Sequence, residues 1–304
     1  MVRLTPPSGA NPAAELAALR ARHAADLDPY STVERLPTES ELAEALDRGG
    51  PALLAESAAG TTLGYGIVRG WTEDDGTELR LLDVWAPPGA TRTDIEAALF
   101  RALETAIRET AIREGPSPRL VLGANARADE PDRLDLLTGL GYRSTFTMVE
   151  LELAGRTAPV PRPEGVTLRT ADSSDAPAVT ALLRRIWAGR AYFTSPEPAD
   201  VRRWLQESGP DLYLIAEDGS GPIGLAAGLA DGTGPVVDDL GVVPAARGRG
   251  VGAALLSELL DRLARHSEGP VRLHTEAHDP TGALRLYRRA GFREVARHHR
   301  LRKP

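Results

Sequence analysis

The sequence contains no cysteine among its 304 residues. Disulfides, thiolate metal sites and cysteine nucleophiles are therefore excluded together. Long apolar runs are also lacking, because no stretch approaches the ~20 residues of a membrane-spanning helix and the first ten residues hold no signal-like apolar core. Acidic residues outnumber basic ones, 43 to 36, and the net charge of -7 argues against nucleic acid as the main partner. We expect a cytoplasmic protein that does not enter a membrane.

The composition is that of a folded chain, with 42% hydrophobic and 26% charged residues. Its length favours two domains of roughly 150 residues each. The strongest break is the segment 154–163, in which three prolines fix φ and remove amide donors. We therefore predict one domain over residues 1–155 and a second over residues 156–304.

The order of predicted elements is the same in both halves. After the linker we predict a short strand, two helices, an antiparallel meander of three strands, a helix over 250–266, a strand, a helix over 281–290 and a last strand. The first half shows helices near 12–26 and 39–48, then strands near 53, 64 and 79. Residues 136–143 (LLTGLGYR) align with residues 286–293 (LYRRAGFR), a displacement of 150 residues (286 minus 136). This pattern predicts a duplicated unit of mixed α/β (α+β) class.

The sharpest motif is the segment 238–253, DDLGVVPAARGRGVGA. It predicts a strand, a glycine-rich turn and the start of a helix, whose free amides and dipole favour an anion such as a pyrophosphate. Arg247 and Arg249 can add charge-assisted hydrogen bonds. The alternative is a tight turn that only connects strand to helix. The loop lacks the Lys-Ser/Thr ending of nucleoside triphosphate loops, and its place after a meander argues against a dinucleotide fold.

These residues resemble the GCN5-related N-acetyltransferase (GNAT) superfamily. Two of its sequence elements are present, Arg/Gln-x-x-Gly-x-Gly/Ala at Arg247, Gly250 and Gly252, and Ala-x-x-Leu-Tyr-x-x-x-Gly-Phe at Ala283, Leu286, Tyr287, Gly291 and Phe292. The resemblance implies two tandem domains, each a mixed, mostly antiparallel sheet that is splayed between its fourth and fifth strands and flanked by helices. It also implies acetyl-CoA as acyl donor, with the thioester arm in that gap. No metal is expected, because the histidine pair at 298 and 299 has no further carboxylate or cysteine partners.

The resemblance assigns residues to the cofactor and to the chemistry. It implies pantetheine contacts from Leu240, Gly241 and Val242 and pyrophosphate contacts from Arg247, Gly248, Arg249, Gly250, Val251, Gly252 and Ala253. Tyr287 matches the position of the thiol proton donor; packing of its ring on the sheet is the alternative. Pro280 stands where related enzymes place an asparagine that contacts the cofactor, and Asp279 is the candidate substitute.

The general base is left open among acidic and histidine residues. Asp238 and Asp239 are expected on opposite faces of a strand, so one of them can face the gap as a base or an amine anchor. For Asp239, capping of nearby backbone amides is an equal alternative. His278 is a further candidate because histidine as a residue type suits general-base catalysis near neutral pH, but we expect this loop histidine to be solvated. We interpret His298 and His299, within a basic C-terminal segment, as an exposed strand end and not as a metal site.

The first half departs from the motif that binds phosphate. With Pro88 aligned to Pro244, the positions of Arg247, Gly250 and Gly252 are taken by Thr91, Asp94 and Glu96. Carboxylates repel a pyrophosphate and β-carbons prevent its close approach. We predict that the first domain does not bind coenzyme A and acts as a structural unit or as a wall of the acceptor pocket.

The predicted function is transfer of an acetyl or other small acyl group from acyl-CoA to a primary amine of a small molecule. Tandem members of the superfamily also include mycothiol synthases, which acetylate a cysteinyl pseudodisaccharide, and this acceptor is one alternative. A second is an aminoacyl-tRNA donor, for which the seven C-terminal arginines at 285, 288, 289, 293, 297, 300 and 302 could serve. A third is an acyl-CoA sensor that does not catalyse. Sequence leaves the acceptor and the oligomeric state open.

Overall fold

The computed structural model describes residues 2–8, 10–33, 35–47, 50–114, 117, 119–155, 158–207, 211–231, 234–266 and 268–304. The chain divides into two compact units. The first unit comprises Met1–Pro29, Glu34–Thr147 and Arg297–Pro304, and the second comprises Tyr30–Val33 and Met148–Ala296.

The elements of the first half are β1 (Arg3–Thr5), α1 (Pro12–Ala21), α2 (Glu39–Asp47), β2 (Ala52–Glu56), β3 (Thr62–Thr72), β4 (Glu78–Trp85), α3 (Arg92–Glu114), β5 (Leu120–Arg127), α4 (Pro131–Gly139) and β6 (Arg143–Leu153). The two helices and three strands predicted for this half are present, and the predicted end of the second helix, at 48, lies outside the described residues. Helix α1 begins where predicted because the Asn11 side chain accepts a hydrogen bond from Ala14 N, with Pro12 in the first turn. It ends at Ala21, and a separate 3-10 turn covers the remainder of the predicted helix.

The elements of the second half are β7 (Thr167–Thr170), α5 (Ala176–Ile186), α6 (Pro198–Glu207), β8 (Tyr213–Asp218), β9 (Gly221–Asp231), β10 (Gly234–Val242), α7 (Val251–His266), β11 (Arg272–Glu276), α8 (Ala283–Arg289) and β12 (Phe292–Lys303). The predicted order is confirmed throughout. Helix α8 starts two residues later than predicted because Gly282, with φ of 82°, adopts a left-handed conformation. Among the described helices, none combines the length and apolar character that crossing a bilayer requires.

The first unit is built on a mixed sheet in the order β1-β2-β3-β4-β5. Residues 298–303 of β12 continue it, antiparallel to β5. Strands β4 and β5 run parallel and pair at four register positions, from Glu78↔Leu120 to Leu81↔Gly123. Helix α3 covers this sheet with the fully buried side chains of Leu99, Phe100 and Leu103.

The second unit repeats this arrangement with strands β7-β8-β9-β10-β11. Residues 148–152 of β6 pair antiparallel with β11. Buried leucines of α7, among them Leu255, Leu259 and Leu263, form the centre of its core. Parallel strands β10 and β11 pair at one register position, Val236↔Arg272, and part beyond it. The predicted gap between the fourth and fifth strands is this opening, called here the β10–β11 gap.

The compact units do not divide at residue 155, because each sheet ends on a strand segment from the other half of the chain. This pairing also shows that the prediction of an exposed C-terminal strand end is wrong. His298 is buried, at 2% exposure, where it pairs with Arg127 of β5. Arg302 forms an ion pair with buried Glu73, and Lys303 lies 2.6 Å from the Glu104 carboxylate. Sheet pairing and buried acidic partners therefore hold the basic segment within the first unit.

Candidate active site

The β10–β11 gap has two distinct faces along β10. A β-carbon on Gly241 would lie 2.5 Å from Ile186 of α5, so this glycine allows the helix to pack closely against the strand. A β-carbon on Gly224 of β9, the register partner of Val242, would meet Leu255 of α7. Alternation along the strand then directs Leu240 and Val242 to the α7 face and Asp239 to the α5 face.

The glycine loop, residues 247–253, leads from β10 into α7. Gly248 and Gly250 have φ of 76° and 85°, a region that other residues rarely adopt. The helical hydrogen bond from Ala254 N to Gly250 O is 3.0 Å long, so the N–H groups of residues 251–253 precede the helical ladder. A β-carbon on Gly248 would meet nothing within 4 Å. Free amides, a helix dipole and open space fit a bound anion.

The two arginines of the glycine loop bind protein groups. Arg247 donates from Nε to Val242 O at 3.0 Å and from Nη2 to Ile186 O at 3.3 Å. The signature arginine therefore joins the end of α5 to the end of β10. Arg249 forms an ion pair with Asp218 at 2.8 Å. Contacts of either guanidinium with a phosphate remain a prediction.

A groove of about 770 Å³ lies between α7 and α8 in the second unit. Its apolar walls come from both helices and from the proline segment 158–161. Arg285 and Arg289 line it as well, and both are exposed side chains. The groove shares Ala253 with the glycine loop. Its volume lies within the range of clefts that bind small molecules.

Tyr287 lies in the middle of α8 and is buried, at 5% exposure. Its ring packs edge-to-face on Phe292, with centroids 5.9 Å apart. Burial raises the pKa of the phenol, and the nearby charges of Asp239 and Asp279 raise it further. The hydroxyl therefore stays protonated at neutral pH, as an acid must before it donates its proton.

Asp238 and Asp239 stand at an irregular point of β10, where the register to β9 shifts between Val237 and Asp239. The Asp238 side chain reaches solvent, and partial desolvation by the protein atoms around it raises the pKa of its carboxyl. The Asp239 side chain keeps some water contact, yet burial, together with the charge of Asp238, raises its pKa to about 7. A backbone hydrogen bond from Leu240 opposes this shift. Both forms of Asp239 are therefore present near neutral pH.

Asp279 holds the start of α8. Its carboxylate accepts from Thr281 N at 3.1 Å and from Ala283 N at 3.3 Å. Arg190, which sequence reasoning missed, forms an ion pair with it at 2.5 Å. The predicted cofactor contact of Asp279 remains a prediction, and these contacts give the carboxylate a structural role. His278, next to it, is exposed as expected.

In the first unit, one of the three positions aligned with the glycine motif, Glu96, belongs to a buried ion-pair network. Thr91 and Asp94 are exposed at the start of α3. Glu96 is 1% exposed and points inward, where Arg92 and Arg133 lie 3.0 and 2.7 Å from its carboxylate. The expectation that this carboxylate faces the phosphate position is therefore wrong, because two guanidinium groups neutralise it inside the protein.

Arg133 also bridges the two parallel strands of the first unit. Its Nε donates to Asn125 O of β5 at 2.9 Å, and its Nη2 donates to Val84 O of β4 at 3.1 Å. The guanidinium thus occupies the place that corresponds to the β10–β11 gap. Leu137, a fully buried residue, stands where the alignment places Tyr287. In the sequence, Arg133 stands where the second half has Ala283. This difference was the signal from which a filled gap in the first unit could have been predicted.

Comparison with known proteins agrees with this geometry. Residues 209–294 match the family described as acetyltransferase (GNAT) domain. A mycothiol acetyltransferase of Geodermatophilus obscurus is 32% identical over 302 residues, which cover 92% of this chain and 90% of that protein. A mycothiol acetyltransferase of Clavibacter sepedonicus is 30% identical over 91% of this chain and 86% of that protein.

Solved structures share the fold at lower identity. A GCN5-related N-acetyltransferase from Sphaerobacter thermophilus superposes with a TM-score of 0.78 and 22% identity, over 99% of this chain and 95% of that one. A tandem GNAT protein from the clavulanic acid biosynthesis pathway gives a TM-score of 0.67 and 15% identity, over 100% and 98% of the two chains. The tandem arrangement therefore has precedent among solved structures.

Proposed function

The chain belongs to the GNAT acetyltransferase family, and we propose that its second unit transfers an acetyl group from acetyl-CoA to the amine of a small-molecule acceptor. The observation that carries this proposal is the coincidence of three features in one unit. They are the glycine loop with free amides, the β10–β11 gap, and the protonated phenol of Tyr287. In the first unit, Arg133 and Glu96 occupy the equivalent places.

We assign each part of the acyl donor to the residues whose chemistry suits it. The N–H groups of residues 251–253 suit the diphosphate, which the positive end of the α7 dipole stabilises. The edge of β10 from Leu240 to Val242 suits the amides of pantetheine, which pair with it like an added strand. The α7–α8 groove suits the nucleotide, with Arg285 and Arg289 beside its phosphate. Bound acetyl-CoA supplies the acyl thioester that reacts.

The reaction then needs two proton transfers. The amine nitrogen attacks the thioester carbonyl, so that a C–N bond forms and the C–S bond breaks. Asp239, with a pKa of about 7, takes the proton that the amine loses. Tyr287 gives its proton to the leaving thiolate, and an N–H group on the free edge of β10 stabilises the oxyanion. The net products are an acetamide and free CoA.

The acceptor candidate with the best support is a cysteinyl pseudodisaccharide amine. Its support is the similarity to mycothiol acetyltransferases over most of the chain. An exposed Asp238 beside Asp239 suits a cationic amine before it loses its proton. Other small primary amines are the alternative acceptors.

The test is incubation of the protein with acetyl-CoA and a panel of amines that includes this pseudodisaccharide. Released CoA is followed with a thiol reagent, and the protein itself does not react with this reagent because the chain has no cysteine. Acceptors with their own thiol are followed by mass spectrometry. Acetylated product that requires acetyl-CoA supports the proposal. Tight CoA binding without any product would favour a sensor, and product only with charged tRNA would favour the other donor.

A further inference from the structure

Helix α8 depends on Asp279 for its first turn. The helix has seven residues, and its preceding residue, Gly282, has no side chain to cap it. The Asp279 carboxylate instead accepts hydrogen bonds from the N–H groups of Thr281 and Ala283 and from the Thr281 hydroxyl. Unpaired N–H groups at a helix start are costly, so this carboxylate stabilises the start of the helix that the left-handed Gly282 allows.

Arg190 holds that carboxylate in place. Its Nη1 lies 2.5 Å from Asp279 Oδ1 and its Nη2 lies 2.9 Å from Glu276 Oε1. The Asp279 side chain is 4% exposed. Burial opposes its charge, but hydrogen bonds from Thr281 and the ion pair with Arg190 lower its pKa overall. The carboxylate is therefore ionised and bound by a guanidinium that joins the end of β11 to the turn before α8.

Arg190 is itself fixed from the other side. Its backbone N–H donates to Trp187 O at 3.0 Å, at the end of α5. Its guanidinium lies over the Trp187 ring, 5.4 Å from the centroid, and that ring packs on Phe193 at 6.0 Å. A guanidinium held between an aromatic ring and two carboxylates has little freedom to move.

We propose that Arg190 is a positioning residue for acetyl transfer. Through Asp279 it sets the start of α8, and with it the place of the Tyr287 hydroxyl against the leaving sulphur. Because α8 is short, a displaced first turn displaces Tyr287 as well. The inference rests on the proposed function, in which Tyr287 donates a proton to the thiolate. Misplacement of a reacting group by about 1 Å can cost ~100-fold in rate.

The first test compares Arg190→Ala and Arg190→Lys with the parent. We expect Arg190→Ala to lower kcat by ~10- to 100-fold, with the KM for acetyl-CoA little changed. Arg190→Lys should recover part of the loss, because an ammonium holds one carboxylate and not two. Arg203→Ala, which removes an exposed ion pair with Asp200 on α6, is the control and should match the parent. A raised KM at unchanged kcat, or parent activity in both Arg190 variants, would overturn the inference.

The second test is a double-mutant cycle with Tyr287→Phe. If Arg190 acts through Tyr287, Arg190→Ala should cost little further rate once the phenol is gone. If the two substitutions lower kcat by factors that multiply, Arg190 acts elsewhere and the inference is overturned.

Hydrogen exchange tests the inference without an activity assay. Arg190→Ala should speed amide exchange over residues 283–289 and leave exchange over residues 251–266 unchanged. If the parent protein acetylates no amine, the proposed function is wrong. If Arg190→Ala leaves hydrogen exchange in α8 unchanged, the positioning role of Arg190 is wrong, whatever the outcome of the activity assay.

Discussion

Arg133 and Ala283 occupy equivalent positions in the two halves of the chain, 150 residues apart (283 minus 133). Arg133 reaches from α4 to the carbonyls of Val84 and Asn125 and to the buried carboxylate of Glu96. The methyl group of Ala283 makes no such bridge. At this position the first unit has a guanidinium that joins its two parallel strands, and the second unit has a methyl group beside parallel strands that part.

Replacement of Arg133 by Ala should destabilise the first unit without affecting catalysis. It leaves Glu96, which is 1% exposed, with Arg92 as its remaining partner, and breaking a buried pair costs ~3 kcal/mol. Arg69→Ala removes an exposed pair with Asp83 and should cost less than about 1 kcal/mol. Denaturant unfolding measures both variants. Equal stability of the two variants, or loss of acetyl transfer in Arg133→Ala, would contradict the structural role.

Gly250→Glu should abolish CoA binding and preserve the fold. The new side chain must adopt φ of 85° and places a negative charge beside the amides that await a diphosphate. Gly165→Glu is the matched control, since Gly165 has φ of 71° and no neighbour within 4 Å of its missing β-carbon. Calorimetric titration with CoA should give an affinity at least ~100-fold weaker for Gly250→Glu alone. Equal affinities would show that the diphosphate lies elsewhere.

Tyr287→Phe should lower kcat and leave the affinity for acetyl-CoA unchanged. The substitution keeps the ring that packs on Phe292 and removes the proton donor. A loss of ~100-fold is expected for a general acid. Tyr142→Phe, a buried tyrosine of the first unit, should behave like the parent. If Tyr287→Phe turns over at the parental rate, another group protonates the thiolate.

Activity should depend on pH through Asp239. The base acts only when ionised, so kcat/KM should rise with pH and reach half of its maximum near pH 7, the pKa of this carboxyl. Asp239→Asn should remove most of the activity. Asp238→Asn removes a charge that raises the pKa of Asp239, so it should shift the midpoint to lower pH. The acceptor amine is the same in both proteins, and an unmoved midpoint would assign the pH dependence to the acceptor.

The same carboxyl should also affect stability. Its folded pKa of about 7 lies above the ordinary value of 3.8, so the folded state holds this proton more tightly than the unfolded state does. Stability should therefore fall as pH rises from about 4 to 7 and then level off. Asp239→Asn lacks this loss, and its melting temperature should exceed that of the parent by more at pH 8 than at pH 5. A constant difference across this range would contradict the raised pKa.

The sequence predicted what local patterns encode. The glycine loop, the Leu286-Tyr287 helix and the meander follow from short motifs and periodicity, and the structure has each of them. It did not predict the partner of Asp279 or the burial of His298. Arg190 lies 89 positions from Asp279, and the β5 residue that pairs with His298, Arg127, lies 171 positions from it (298 minus 127). Which strand edges meet, and which distant cation reaches a buried carboxylate, is decided by tertiary packing and leaves no local pattern.

We expect backbone amides of the second unit to bind the acyl donor, whereas ion pairs of Arg133 and Glu96 occupy the equivalent place in the first unit. A crystal structure with CoA tests this expectation most directly. We expect one CoA per chain, with diphosphate oxygens within hydrogen-bonding distance of the N–H groups of residues 251–253 and the thiol beside Tyr287. A diphosphate bound at residues 91–96, or CoA bound away from the glycine loop, would contradict the account.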